Sequence, residues 1–421
     1  MKRMASAAKP GLRQAWLWRN RSAFGTSAGG EQPQLLVDIS AIIQGDAQTG
    51  IQRVVRAVWA ELRRRDGNGF KVLPIYATHT QGYCYAPVDF LDRRRDSFSS
   101  GEAVKVQPGD KFLGLDLTAH LLPKYSRQVR AWRRNGASVH LVVYDLLPLL
   151  RPEWFNRRTA SHFRKWFDFL AREADQALCI SDEVGRDLVR SLPRTLERDG
   201  PSLARLHMGG DIAASLPSSG VSPEVLRVLD ALRFRPGVLM VGTIEPRKGY
   251  DVALRAFEEL WLSQSSDAPD LVIVGKAGWK TDALQAAIRG HREHGKRLHW
   301  LDRVSDEGLC KLYEACCGLF MASHGEGFGL PLIEAATHRR AVLARDLPVF
   351  REQAIPGVLY FSDDRPKALG RKLLELTRAG RERTTAADLP TWSECVDRLL
   401  AEIDLEPPLE REAEPVLRKA S

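Results

Sequence analysis

The segment from Leu319 to Ala335 leaves its backbone few options. The apolar run Leu319-Phe320-Met321-Ala322 reads as a buried strand. Ser323-His324-Gly325-Glu326-Gly327-Phe328-Gly329 then crowds three glycines into a turn. Leu330-Pro331-Leu332-Ile333-Glu334-Ala335 continues as an apolar helix, with Pro331 suited to the first helical position. A strand, a glycine turn and a helix N-terminus together make an anion site. The first helical N–H groups have no intrahelical partners, and glycine lets a phosphate come close. Glu326 and Glu334, separated by seven residues, sit on the same element. Carboxylates repel phosphate but hold hydroxyls, so amides beside carboxylates describe a nucleotide-sugar pocket.

The rest of the chain supplies a frame for such a turn. At 421 residues it is too long for one ordinary core and suits two domains. From Pro33 onward short apolar strands alternate with amphipathic helices. The first strand is expected at 35–39, with later ones at 72–76, 112–115, 139–144 and 177–180. Ile51, Val54, Val55, Val58 and Leu62 share one helical face, capped by Thr49 or Asp46. Near-continuous apolar strands imply a parallel α/β sheet covered on both faces. Residues 192–235 turn irregular, and a hinge is expected near their end. A second α/β series starts at Gly237, with strands at 238–241, 271–274, 298–301, the signature strand and 341–344. The expected division is a basic arm at 1–33, an acceptor-binding domain at 34–225 and a nucleotide-sugar domain at 226–391. A final helix at 392–403 and a loose tail at 404–421 complete it.

Charge and special residues narrow the partners. Net charge is +9, with 44% hydrophobic and 27% charged residues, an ordinary soluble composition. No helix-turn-helix, finger spacing or aromatic RNA-binding motif appears, so nucleic acid is excluded as a partner. No apolar run is long enough to span a bilayer, and the N-terminus lacks the apolar core of a secretory signal, so a cytoplasmic chain is expected. Lys2, Arg3, Lys9, Arg13, Arg19 and Arg21, with Trp16 and Trp18, fit either peripheral contact with an anionic membrane or a solvated tail. Six cysteines without a C-x-x-C pair read as reduced, mostly buried thiols. His291, His294 and His299 have no cysteine partner, which argues against zinc. A stretch with Trp154, Phe155, Phe163, Trp166, Phe167 and Phe169 among basic residues reads either as a face for a lipid-linked acceptor or as a half-buried surface helix.

The spacing of Glu326 and Glu334 within Gly-Glu-Gly-Phe-Gly-Leu-Pro-Leu-Ile-Glu-Ala resembles the signature of family-4 glycosyltransferases. Those are retaining enzymes of the GT-B fold, two Rossmann-like domains facing across a cleft. Val241-Gly242-Thr243-Ile244-Glu245-Pro246-Arg247-Lys248-Gly249 resembles the Glu-Pro-Arg-Lys turn of bacterial mannosyltransferases in that family. Fainter likenesses lie at Val37-Asp38-Ile39-Ser40, Thr49-Gly50-Ile51-Gln52-Arg53, Tyr144-Asp145-Leu146-Leu147-Pro148 and Cys179-Ile180-Ser181. The similarity spans roughly residues 34 to 400, and the last helix would cross back onto the first domain.

The resemblance implies a hexosyltransferase, with mannose from GDP-mannose moved onto a bacterial surface polysaccharide or a lipid-linked glycan. A deoxyhexose or UDP-sugar donor is an alternative, and so is a non-catalytic glycan-binding scaffold. It implies no cofactor and no metal, Lys248 and Arg247 meeting the diphosphate charge instead. Many relatives carry an arginine where this chain has Thr243, so Arg247 stands in for it. Glu334 is expected on the ribose and Glu326 on the sugar's hydroxyls or its developing positive charge. The backbone of Gly327, Phe328 and Gly329 is expected on the diphosphate or the sugar hydroxyls, and Gly50, Ile51 and Arg53, opening the first helix, near the acceptor or the donor phosphate. Asp145, where relatives often have a His-Asp pair, either orients hydroxyls or caps its turn.

Overall fold

The computed structural model describes residues 32–45, 49–92, 101–193, 200–215, 217–263, 268–379 and 389–405. The basic arm, the alternative cap Asp46 and the tail beyond residue 405 lie outside them. Two sheets organise the chain. The first joins β1 (Gln34–Asp38), β2 (Lys71–Tyr76), β3 (Cys84–Tyr85), β4 (Lys111–Gly114), β5 (Ser138–Val143), β6 (Gln176–Cys179) and β7 (Ser202–Arg205) in the order 3-2-1-4-5-6-7. Only the short β3 runs antiparallel. The second joins β8 (Gly237–Val241), β9 (Asp270–Val274), β10 (Leu298–Leu301), β11 (Gly318–Met321), β12 (Ala341–Arg345) and β13 (Leu359–Phe361) in the order 10-9-8-11-12-13, all parallel. In each sheet the order reverses beside the first strand. The crevice at the carboxyl ends there is where such sheets take ligands.

The strands are buried along almost their whole length because helices cover both faces. Six helices matter for the site: α1 (Gly50–Arg64), α2 (Arg157–Glu173), α3 (Pro223–Ala231), α4 (Asp306–Ala315), α5 (Leu330–Thr337) and α6 (Trp392–Glu402). Thr49 starts α1 with a reciprocal capping box, its hydroxyl taking Gln52 N–H while the Gln52 side chain takes the Thr49 N–H. Thr391 and Glu394 do the same for α6. That last helix lies against α1, where Arg65 pairs with Asp397 at 2.7 Å and Trp392 N–H donates to Asp211 at 3.2 Å.

Two sequence expectations change, and one open choice is decided. The division expected at residue 225 falls inside α3, which packs on α4 and β10 of the second domain. The chain has already joined that domain at Ser218, whose N–H and hydroxyl donate to Asp306. Helix α5 begins at Leu330, so Pro331 takes its second position rather than the first, and Glu334 lies in its second turn. The aromatic side chains of α2 are not a lipid-facing surface. Phe163, Trp166, Phe167 and Phe169 are buried in the first domain's core, and its basic residues face outward. No described helix is long and apolar enough to cross a membrane.

Candidate functional site between the two sheets

Four connections meet at the crevice, each leaving the carboxyl end of a strand beside a switch point. Residues after β8 form a tight turn, Pro246–Lys248, closed by Gly249 at φ 70°. A Cβ on Gly249 would lie 2.3 Å from the Ala322 carbonyl, so only glycine lets this turn press against the end of β11. The contact is locked by His324 N–H donating to the Arg247 carbonyl at 2.7 Å. Arg247 and Lys248 thereby stand over the glycine turn. From the other side, Gly327 passes so close to Tyr144 that an added Cβ would sit 1.8 Å from its carbonyl oxygen. The glycine turn is thus wedged between the Arg247-Lys248 turn and the Asp145 segment of the first domain.

These approaches assemble a compact charge cluster. Glu326 accepts from Lys248 Nζ and from Arg247 Nη1, both at 2.6 Å, and from Ser323 Oγ at 2.7 Å. Arg247 also pairs with Glu245 at 2.9 Å. Burial on its own would raise the Glu326 pKa. The Arg247 and Lys248 charges outweigh it and hold the carboxyl down at about 2. Asp145 and Glu245 go the other way: burial raises both, against the pull of Arg247. Asp145 accepts the Leu147 N–H at 3.0 Å, the turn-capping role, while lying within the field of the cluster. Glu326, expected on the sugar, lies here between the two cations. Among the described residues, the buried Arg247 Nε has no hydrogen-bond partner.

Glu334 belongs to a second cluster that joins the domains. Its carboxylate accepts from Tyr313 at 2.8 Å and from Arg53 of α1. Arg53 also reaches Asp306 at 2.8 Å. Both carboxylates are buried, and their charges raise the Arg53 pKa despite the opposing effect of its own burial. Gly50 opens α1 directly opposite, where an added Cβ would lie 3.6 Å from Leu330.

One cavity of about 750 Å³ takes in both clusters, and Thr243, Asp145, Gly50 and Gly327 to Gly329 line it with Lys248, Glu326 and Glu334. The structure therefore brings every sequence-predicted site residue to one cleft. It turns Arg53, expected near a phosphate or the acceptor, into a bridge between two carboxylates, and adds Glu245, Asp306, Ser323 and Tyr313 as partners and a group of histidines. Arg53 was legible as the polar residue in the first turn of a cleft-facing helix; its partners, hundreds of residues away, were not. Two of the histidines weighed for zinc have other partners. His299 bonds Asp270 at 3.1 Å, while His291 approaches Glu258 at 3.3 Å. All six cysteines are free thiols, four of them buried.

Residues 234–387 match the family described as group 1 glycosyl transferases. Over 380 residues, 88% of this chain, the sequence is 38% identical to the serotype-specific mannosyltransferase WbdA of Escherichia coli. That match takes in 45% of WbdA, so the chain spans about half the length of the curated relatives it matches. The O-antigen chain mannosyltransferase B of Escherichia coli is 31% identical over 46% of this chain and 49% of its own length. Among solved structures, Anabaena Alr3699/HepE in complex with UDP and glucose superposes with a TM-score of 0.60 at 15% identity, over 89% of this chain and 100% of that one. Sucrose-phosphate synthase from Thermosynechococcus elongatus gives 0.61 at 16%, over 89% and 98%. The fold is GT-B, two parallel-sheet α/β domains with the cleft between them.

Proposed function

We propose that this chain is a retaining hexosyltransferase that moves mannose from GDP-mannose onto a bacterial surface polysaccharide or lipid-linked glycan. The observation that carries the reading is the Arg247, Lys248 and Glu326 cluster, held against a glycine turn at the carboxyl ends of β8 and β11. The mannosyltransferase relatives support the sugar. In this reading the donor's diphosphate meets the backbone of Gly327 to Gly329, Lys248 and the unpartnered Nε of Arg247. Glu334 exchanges its Arg53 partner for the ribose hydroxyls. Glu326 then faces the sugar, where its charge, unpaired from Lys248 as that cation turns to the phosphate, opposes the positive charge developing at the reacting carbon. The bond from that carbon to the phosphate oxygen breaks as the acceptor oxygen bonds on the same face. The acceptor's proton passes to the departing phosphate, so no protein nucleophile is required. Asp145 orients hydroxyls beside the cluster. The protein's own cations supply the charge that a metal would otherwise supply, and the reaction takes place at the cytoplasmic face of the membrane.

A thermal-shift panel of GDP, UDP and dTDP, followed by transfer assays with the matching sugar donors, tests this. Binding to the native state raises the melting temperature by mass action. The largest shift is expected with GDP, and transfer is expected to persist in EDTA. A larger shift with UDP would replace the donor, and loss of transfer in EDTA restored by manganese would overturn the metal-free reading.

A further inference from the structure

The cavity extends past the charge clusters into the first domain, where three histidines from three separate elements line it. His79 follows β2, His120 follows β4 and His162 lies on α2. Strands β2, β1 and β4 are adjacent, so the first two arrive at neighbouring carboxyl ends. Their rings form a row, His79 to His120 at 5.4 Å between centroids and His120 to His162 at 6.4 Å. We infer that His79, His120 and His162 form the subsite for an uncharged, hydroxyl-rich glycan acceptor. This rests on the transferase reading above and specifies the chemistry of its second substrate.

Three observations lead there. Among the described residues, no hydrogen bond engages the ring nitrogens of these histidines. By contrast His140 is tied to Ser138 and Gln176, and His299 to Asp270. The row's donors and acceptors thus point at whatever fills the cavity. Second, two of the rings are biased toward the neutral form. Burial lowers the His120 pKa first, and His79, His162 and Arg158 lower it further. Burial, Arg158, Lys165 and His79 do the same for His162. A neutral imidazole offers one donor and one acceptor, the same pairing a sugar hydroxyl presents. Third, apolar side chains next to the row in the chain line the same cavity: Leu117 and Ala119 beside His120, and Phe163 beside His162. Such walls suit the C–H faces of a pyranose. A phosphate would want fixed cations there. Arg158 is exposed at the rim, and the Lys124 ammonium is already committed to the His79 carbonyl.

The test uses the full chain with an α-linked mannotetraose, as a titrant in calorimetry and as the acceptor in steady-state assays. His120→Ala and His162→Ala are each expected to raise the acceptor KM on the order of ten-fold, the loss of about one hydrogen-bonded pair. The donor KM and the thermal shift with nucleotide should stay at wild-type values. His120→Lys should be as impaired as the alanine variant, and excess inorganic phosphate should not compete with the acceptor. Unchanged acceptor KM in both alanine variants overturns the inference. So does phosphate competition combined with full acceptor affinity in His120→Lys, which would assign an anionic acceptor. If the wild type transfers no mannose, the proposed function fails. Calorimetry still reads the subsite in that case: oligosaccharide binding lost in the variants upholds it, and no binding by the wild type refutes it.

Discussion

Arg53 is the side chain whose removal should be felt in both domains. It is anchored on α1 and holds two carboxylates of the second domain, Asp306 at 2.8 Å and Glu334. Glu334 is 2% exposed and Asp306 7%, so neither can rehydrate without the cleft opening. Removing one partner of a buried pair costs about 3–5 kcal/mol, because a charge is left uncompensated. The lower end applies here, since Asp306 keeps the Ser218 N–H and hydroxyl, and Glu334 keeps Tyr313. Arg53→Met preserves the aliphatic stem and should therefore cost about 3 kcal/mol. At roughly 2–4 °C per kcal/mol for a cooperative unit of 150–250 residues, the melting temperature should fall by about 6–12 °C. The assay is a double-mutant cycle by thermal and urea melts with Glu334→Gln. If the loss comes from a stranded carboxylate, the double variant should recover about 1 kcal/mol or more over the additive expectation. Additive effects, or an Arg53→Met variant within about 0.5 kcal/mol of wild type, would refute the reasoning.

Lys248→Ala should lower kcat by about 100-fold or more, as when one donor to developing charge is lost from a dry site, and Lys248→Arg should restore only part of it. Wild-type turnover in the alanine variant would show that the lysine merely balances Glu326. Glu326→Gln should depress kcat while calorimetric affinity for the nucleoside diphosphate does not fall, because it releases Arg247 and Lys248 from a competing carboxylate. Glu334→Ala should instead raise the donor KM, and equal loss of nucleotide affinity in both variants contradicts this division. Asp116, buried near Asp38, has its carboxyl raised by burial from 3.8 to about 7 while accepting the Ile42 N–H at 2.7 Å. The folded state then binds more protons between those values, so this group's contribution to stability declines as pH rises from about 4 to 7. Asp116→Asn should gain melting temperature relative to wild type across that window; a constant difference would count against the shifted carboxyl.

Much of the architecture could be read along the chain because its causes are local. Apolar runs bounded by turn residues marked β8 to β12 to within a residue or so at either end. The glycine turn pointed to an anion site through residue chemistry, and the Glu-Pro-Arg-Lys turn to the cleft through its family resemblance. Edge strands β3, β7 and β13 escaped notice. They are only two to four residues long, and an edge needs no continuous apolar run. The helices at Ser126–Arg134 and Pro366–Arg378 were also missed.

Which residues meet across the cleft was decided by tertiary structure. Arg53 finds Asp306 and Glu334 at separations of 253 and 281 residues, distances over which no periodicity or spacing carries information. Glu326 was read as facing the sugar, and a glycine loop gives no sign of which protein groups neighbour its carboxylate. Folding places it between two cations, a choice made by Gly249 closing on Ala322. The three histidines looked unrelated until parallel strands in the order 2-1-4 brought two loops to one rim and α2 supplied the third ring. Residue types and local periodicity determine which chemistry a segment can offer. Only the packing of two sheets determines which charges neutralise one another, and which groups are left open to a ligand.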